Sequence, residues 1–155
     1  MFSEIDGLPL HPLVVHAVVV LVPLATLGAL LVAARPRWSR AYGPLVAAAA
    51  VIAAAAAFVA REAGEALERT LREAGDPLEG IEDHGRWGLY VFVLGLVFAM
   101  VTVASVVLAR RAGPETRIAR VAAWLAVALG VAATAFTYLA GESGAESVWG
   151  YVFGG

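Results

Sequence analysis

The sequence predicts an all-α membrane protein built as a bundle of four transmembrane helices. Four uninterrupted apolar runs cover residues 12–34, 44–60, 87–109 and 121–140, and hydrophobic residues make up 61% of the chain. A hydrocarbon core of roughly 30 Å needs about 20 apolar residues at 1.5 Å rise each, so each run is long enough to cross a bilayer. With 155 residues, the chain has room for these spans and one helical extension only. We therefore expect a single domain over residues 1–155.

The first helix is expected to begin at Pro12, because proline is favoured at the first helical position, where an amide hydrogen would be unpaired anyway. His11 would then be its N-cap. Pro23 removes a backbone hydrogen bond within the run and predicts a kink. Arg35 and Pro36 follow the run and end the helix.

The second helix is expected to start near Pro44 and to continue beyond the membrane to Ala74, with Gly75 as its stop. Its apolar run is rich in alanine, which predicts close packing against neighbouring helices. The polar extension carries oppositely charged residues at helical ion-pair spacing. They are Arg61, Glu65, Arg69, Glu68 and Arg72.

The third helix is expected over residues 77–109, because Asp76, Pro77 and Glu79 form a helix-start signal. Its first turns would project beside the end of the second helix, giving a helical hairpin outside the membrane. The glycines after the fourth run predict a turn out of the last helix, followed by interfacial aromatic anchors. The anchors are Trp149, Tyr151 and Phe153. We see no internal repeat strong enough to support an argument.

The arginines are distributed asymmetrically, although the net charge is only -2. Arginine and lysine in short loops set membrane topology, whereas acidic residues contribute little. Seven arginines lie in the connections between the first two and the last two runs. They are Arg35, Arg37, Arg40, Arg110, Arg111, Arg117 and Arg120. This pattern predicts a multi-pass protein of the cytoplasmic (inner) membrane with both termini outside.

Several classes of function are excluded or disfavoured by residues that the chain lacks. It has no cysteine, so disulfides, thiolate metal sites and covalently attached haem are excluded. No basic cluster has the aromatic interleaving of a nucleic-acid surface. No phosphate-binding loop and no hydroxyl nucleophile with an activating partner is recognisable, which argues against hydrolytic chemistry.

The predicted topology gathers the unusual polar residues at the outer face. His16 is the only ionisable residue inside an apolar run, and such residues usually face a cavity, a partner or a ligand. His84 opens the third helix, and His11 precedes the first. Glu65 and Glu142 lie near the ends of the second and fourth helices. Each has an ordinary alternative: a hydrogen-bonded or solvated histidine, or, for Glu65, an ion pair with its helical neighbours.

Histidine and carboxylate ligands together suit a transition metal ion such as zinc, iron or copper. Two imidazoles that face each other across a bundle suit haem b. The sequence supplies donors for either cofactor. We predict His16 and His84 as the main ligands, with His11, Glu65 and Glu142 completing or tuning the metal site.

Four segments occur in an order that resembles the domain of unknown function 2231 family, a group of bacterial four-span membrane proteins. They are Leu10-His11-Pro12-Leu13-Val14-Val15-His16, Gly64-Glu65-Ala66-Leu67-Glu68, His84, and Gly141-Glu142-Ser143-Gly144-Ala145 with Val148-Trp149. The resemblance covers nearly the whole chain and brings no biochemical activity with it. It implies that the family's set of polar residues is His11, His16, Glu65, His84 and Glu142. Relatives that place His or Asp at position 142 favour a metal or proton site, whereas relatives joined to redox modules favour electron transfer.

Our leading hypothesis is a membrane protein whose outer histidine and glutamate site binds a transition metal or haem b, for electron transfer or metal handling. The second hypothesis is a non-catalytic membrane subunit or scaffold with a structural polar network. The third is a cation transporter. The sequence argues against it, because no second polar layer crosses the membrane. Besides the lipid bilayer, the expected partners are redox or other membrane proteins and a second copy of the chain.

Overall fold

A computed structural model describes residues 4–5, 8–75 and 81–153, with side chains described for 10–75 and 83–146. Four long helices account for most of the described chain. They are α1 (Leu10–Ala34), α2 (Ser39–Ala74), α3 (Ile81–Ala112) and α4 (Arg117–Phe153). A 3-10 turn at Pro36–Trp38 joins α1 to α2, and Glu4–Ile5 pairs antiparallel with Leu8–Pro9 before α1. All four helices are long and apolar enough to cross a membrane, which confirms the predicted fold class.

The helices pack as a four-membered bundle in which α1 and α3 are diagonal to each other. Each of these two helices packs against both α2 and α4. Small side chains let the axes approach, and Ala50 and Ala53 of α2 are at most 1% exposed. Phe98 and Val22 are the largest side chains that are almost completely buried. The alanine-rich run of α2 is therefore a packing surface, as its composition predicts.

The outer surface of the bundle is a belt of large apolar side chains. Leu24, Leu45, Ile52 and Leu125 are each more than half exposed, and they come from three different helices. A soluble protein rarely leaves so large an apolar surface in water. The belt is suited to lipid, in agreement with the four candidate spans.

The end of α2 matches the sequence-based prediction. The helix runs past the apolar segment to Ala74, and Gly75 ends it with a left-handed φ of 79°. The Gly75 amide donates to the carbonyls of Arg72 and Leu71, which satisfies the last turn. Salt bridges Arg61–Glu65 (2.7 Å) and Arg72–Glu68 (2.6 Å) line this extension.

Helix α2 starts at Ser39 and not near Pro44, and α3 ends at Ala112 and not at Ala109. Two further helix boundaries differ from those predicted. The first is the start of α1, at Leu10, so His11 lies inside the first turn and is not the N-cap. The second is the end of α4, which runs without a turn through Gly141 and Gly144 to Phe153. Glycine permits a turn but does not impose one, and Gly144 packs against a side chain of α3.

Some predicted features lie outside the described residues. These are the helix-start signal at 76–79, the predicted projection of residues 77–80 beside the end of α2, and the side chains of Trp149, Tyr151 and Phe153.

Candidate functional site

His11 joins α1 to α2 at the end of the bundle opposite the arginine-bearing connections. Its Nδ1 lies 2.7 Å from the carbonyl oxygen of Ala60. A carbonyl oxygen only accepts hydrogen bonds, so Nδ1 carries the hydrogen and donates it. The ring packs on Gly64, where an added Cβ would lie 3.0 Å from two ring atoms. The contact therefore depends on the lack of a side chain at position 64.

His84 joins α3 to α4 in the same way. Its Nδ1 lies 2.9 Å from the carbonyl oxygen of Ala140 and donates to it. The Ser143 hydroxyl also donates to this carbonyl (3.1 Å), and its Oγ is 3.4 Å from His84 Nδ1. The ring packs on Gly144, where an added Cβ would come within 2.9 Å of it.

The two imidazoles meet at the bundle axis, although they come from diagonal helices. Their Nε2 atoms are 3.4 Å apart, and the ring planes are nearly perpendicular at 88°. Because each Nδ1 donates to a carbonyl, each neutral ring has a lone pair on Nε2 and no hydrogen there. Two facing lone pairs attract only if a proton or a metal ion lies between them. The geometry therefore leaves two lone pairs 3.4 Å apart, an arrangement that a shared proton or a metal ion between the nitrogens would stabilise.

The environment of His84 favours the neutral ring, the form that can act as a ligand. His84 lies before Trp87, where the apolar run of α3 starts, and beside the exposed ion pair Arg86–Asp83 (3.0 Å). Burial lowers the pKa of His84 below the ordinary 6.5. The hydrogen bond to Ala140 opposes this shift, and the nearby His11 ring adds to it. The lone pair of Nε2 is thus available near neutral pH.

The other three predicted site residues lie apart from this pair. His16 is exposed, and its Nδ1 is 2.6 Å from the Pro12 carbonyl of its own helix. Glu65 is exposed and bound to Arg61. Glu142 is also exposed. Among the described side chains, no group of three or more His, Asp or Glu residues is arranged to hold a metal ion.

The burial pattern of α1 distinguishes His11 from His16, which the sequence alone had favoured as a ligand. Residues five apart on a helix differ by about 140° in direction, so only one of the two can face the bundle axis. The buried positions of α1 include Val18, Ala25 and Val32, spaced by seven. His11 continues this series toward the N-terminus and His16 does not. The seven-residue spacing therefore places His11 on the inward face.

A protein-family model matches the chain over residues 7–154. The matching family is described as "Predicted membrane protein (DUF2231)". Searches of the curated proteins and of the solved structures gave no match.

Proposed function

This chain belongs to the DUF2231 family of predicted membrane proteins, and we propose that it binds one transition metal ion between His11 and His84 at a membrane surface. The observation that carries the proposal is the 3.4 Å separation of the two Nε2 atoms. Both Nδ1 atoms donate to backbone carbonyls, an arrangement that fixes ring orientation and tautomer in metal-binding histidines.

The separation of the nitrogens supports an ion with tetrahedral geometry. For typical metal–imidazole distances of about 2.0–2.1 Å, nitrogens 3.4 Å apart subtend an angle of about 108–116° at the metal. The tetrahedral angle lies in this range. Two axial ligands of a haem iron lie on opposite sides of it, which at the same bond lengths would separate the nitrogens by about 4.0–4.2 Å. The site therefore favours a single ion such as zinc or copper over haem b.

The protein supplies two ligands, so the remaining positions of a tetrahedral ion are open to water or to an exogenous ligand. Metal sites with open positions exchange ligands or carry chemistry, whereas structural sites are closed by protein ligands. The pair lies at the end of the bundle that we predict, from the arginine distribution, to face away from the cytoplasm. We therefore assign the site to metal handling at the outer surface of the inner membrane, or to electron transfer there if the ion is copper, because zinc does not change oxidation state.

A structural role is the second candidate, because each histidine connects two helices. His11 binds a carbonyl of α2, and His84 binds a carbonyl of α4. In this alternative, the pair shares one proton and holds the two halves of the bundle together. Substitution would then lower thermal stability and leave metal content unaffected.

Metal titration of the purified protein separates the two candidates. The protein is prepared with a tag that contains no histidine, is loaded with Zn²⁺ or Cu⁺ and dialysed, and its metal content is measured by mass spectrometry. We expect one ion per chain. His11→Ala and His84→Ala should each weaken binding by 10-fold or more, because one imidazole alone is a poor ligand set.

His16→Ala is the matched control, since it removes an imidazole from the same helix. We expect this variant to keep the ion. If His16→Ala loses the ion and His11→Ala keeps it, the pairing of His16 with His84 is correct. If the wild-type protein binds neither metal, the proposed ion is ruled out. This holds whether or not the protein shows a Soret band from haem.

A further inference from the structure

Helices α1 and α3 present the same series of inward positions, beginning with histidine. Counting along the helix from each histidine, the next three residues at seven-residue intervals are all buried. The two series are His11, Val18, Ala25, Val32 and His84, Val91, Phe98, Ser105. The helices therefore correspond at a constant offset of 73 residues.

Helices α2 and α4 correspond in the same manner, at an offset of 80 residues. Five buried positions of α4 each have a buried counterpart in α2. The pairs are Ser39 and Ala119, Val46 and Ala126, Ala50 and Gly130, Ala53 and Ala133, and Ala57 and Thr137. The series leads into two similar segments, Ala60-Arg61-Glu62-Ala63-Gly64 and Ala140-Gly141-Glu142-Ser143-Gly144.

The two similar segments hold the two imidazoles by two contacts of the same kind. In each, the carbonyl of the first alanine accepts the hydrogen of Nδ1, at 2.7 Å for Ala60 and 2.9 Å for Ala140. In each, the glycine four residues later lies one turn further along the same helix face and contacts the ring. The site is thus made of two equivalent halves that meet at the Nε2 atoms.

We infer that the chain is a tandem of two equivalent helical hairpins, α1–α2 and α3–α4, and that Gly64 and Gly144 are the positioning residues of the histidine pair. This inference rests on the proposed function for its metal readout. A Cβ at Gly64 would lie 3.0 Å from Nδ1 and Cε1 of His11, and one at Gly144 would lie 3.0 and 2.9 Å from the same atoms of His84. These contacts are closer than ordinary packing allows, so the ring must move. Because Nδ1 is bound to a carbonyl, any movement changes both this hydrogen bond and the position of Nε2.

The test compares Gly64→Ala and Gly144→Ala with Gly85→Ala and Gly141→Ala. The control glycines are exposed helical residues near the site, and an added Cβ at either meets no atom within 4 Å. We expect each positioning variant to weaken metal binding by about 10- to 100-fold, the range for changes around metal-bound histidines. The controls should bind as the wild type does.

A second readout needs no metal. In protein labelled with ¹⁵N-histidine, Gly64→Ala should shift the Nδ1–H signal of His11, and Gly144→Ala that of His84, with the other ring less affected. In the wild-type protein, the Hα protons of Gly64 and Gly144 should show nuclear Overhauser contacts to the Hε1 protons of His11 and His84. These contacts test whether each histidine ring packs on its glycine, even if a variant does not fold.

The two readouts separate failure of this inference from failure of the proposed function. If the wild type binds no ion but the histidine signals shift as expected, the positioning role stands and the metal proposal fails. If both positioning variants bind metal as tightly as the controls, with unchanged histidine signals, the positioning role is refuted. Absence of the two Overhauser contacts in the wild type would also overturn it.

Discussion

At the scale of single residues, the absence of a side chain sets the distance between helices α1, α3 and α4. A Cβ at Gly130 would lie 2.7 Å from Thr26 Oγ1 and 3.0 Å from Phe98 Cε2. The Thr26 hydroxyl donates to Val22 of its own helix (2.8 Å) and is therefore held in place. Phe98 is 1% exposed and is therefore enclosed by the bundle. Position 130 thus requires glycine for packing.

We predict that Gly130→Ala destabilises the bundle by about 1–3 kcal/mol, the usual cost of overpacking a core. Alanine has a higher helix propensity than glycine, so helix propensity alone would predict that Gly130→Ala stabilises the protein. Gly95→Ala is the matched control, because Gly95 is also buried in a helix but an added Cβ meets no atom within 4 Å. Thermal unfolding in detergent should show a lower midpoint for Gly130→Ala only. Equal midpoints would contradict the packing described for Gly130.

At the scale of helices, hydrophobicity predicted the spans, and cap chemistry predicted the end of α2. Each apolar run lies within one helix, and Gly75 ends α2 as expected. The end of α4 was not predictable in this way, because a glycine-rich segment allows both a turn and a continued helix. Contact between Gly144 and the His84 ring of α3 accompanies the continued helix, and that contact depends on tertiary structure.

The candidate site was predictable in composition but not in pairing. The sequence identified His11 and His84 among five polar residues at one end of the bundle. It gave no distances, and an ionisable residue inside an apolar run drew attention to His16 instead. The regular spacing of buried residues along α1 and α3 selects His11 and His84. That spacing can be recognised only when inward positions are distinguished from lipid-facing ones, and almost every residue of these runs is apolar.

At the scale of the whole molecule, the two ends of the bundle differ in charge. The three ion pairs found among the described side chains all lie at the histidine end. The seven arginines of the two short connections lie at the other end, with Glu115 as the acidic residue among them. This asymmetry favours insertion with the arginine end in the cytoplasm.

We predict that the histidine end faces outward, and single cysteines can test this because the chain has none. Glu73→Cys lies at the exposed end of α2, and Ala112→Cys lies at the exposed arginine end of α3. A membrane-impermeant maleimide applied to intact spheroplasts should label Glu73→Cys. It should label Ala112→Cys only after permeabilisation. The reverse pattern would contradict the predicted topology.

The proposed function unites the residues, helices and topology in one claim: diagonal helices bring two imidazoles together to bind one ion. X-ray absorption of the zinc-loaded protein measures this directly, because imidazole ligands give a recognisable scattering pattern around the metal. We predict two imidazole nitrogens at about 2.0–2.1 Å in the wild type. His11→Ala and His84→Ala should each lose one of them, and His16→Ala neither. A spectrum without imidazole scattering, or one that is unchanged in the His11→Ala and His84→Ala variants, would contradict the account.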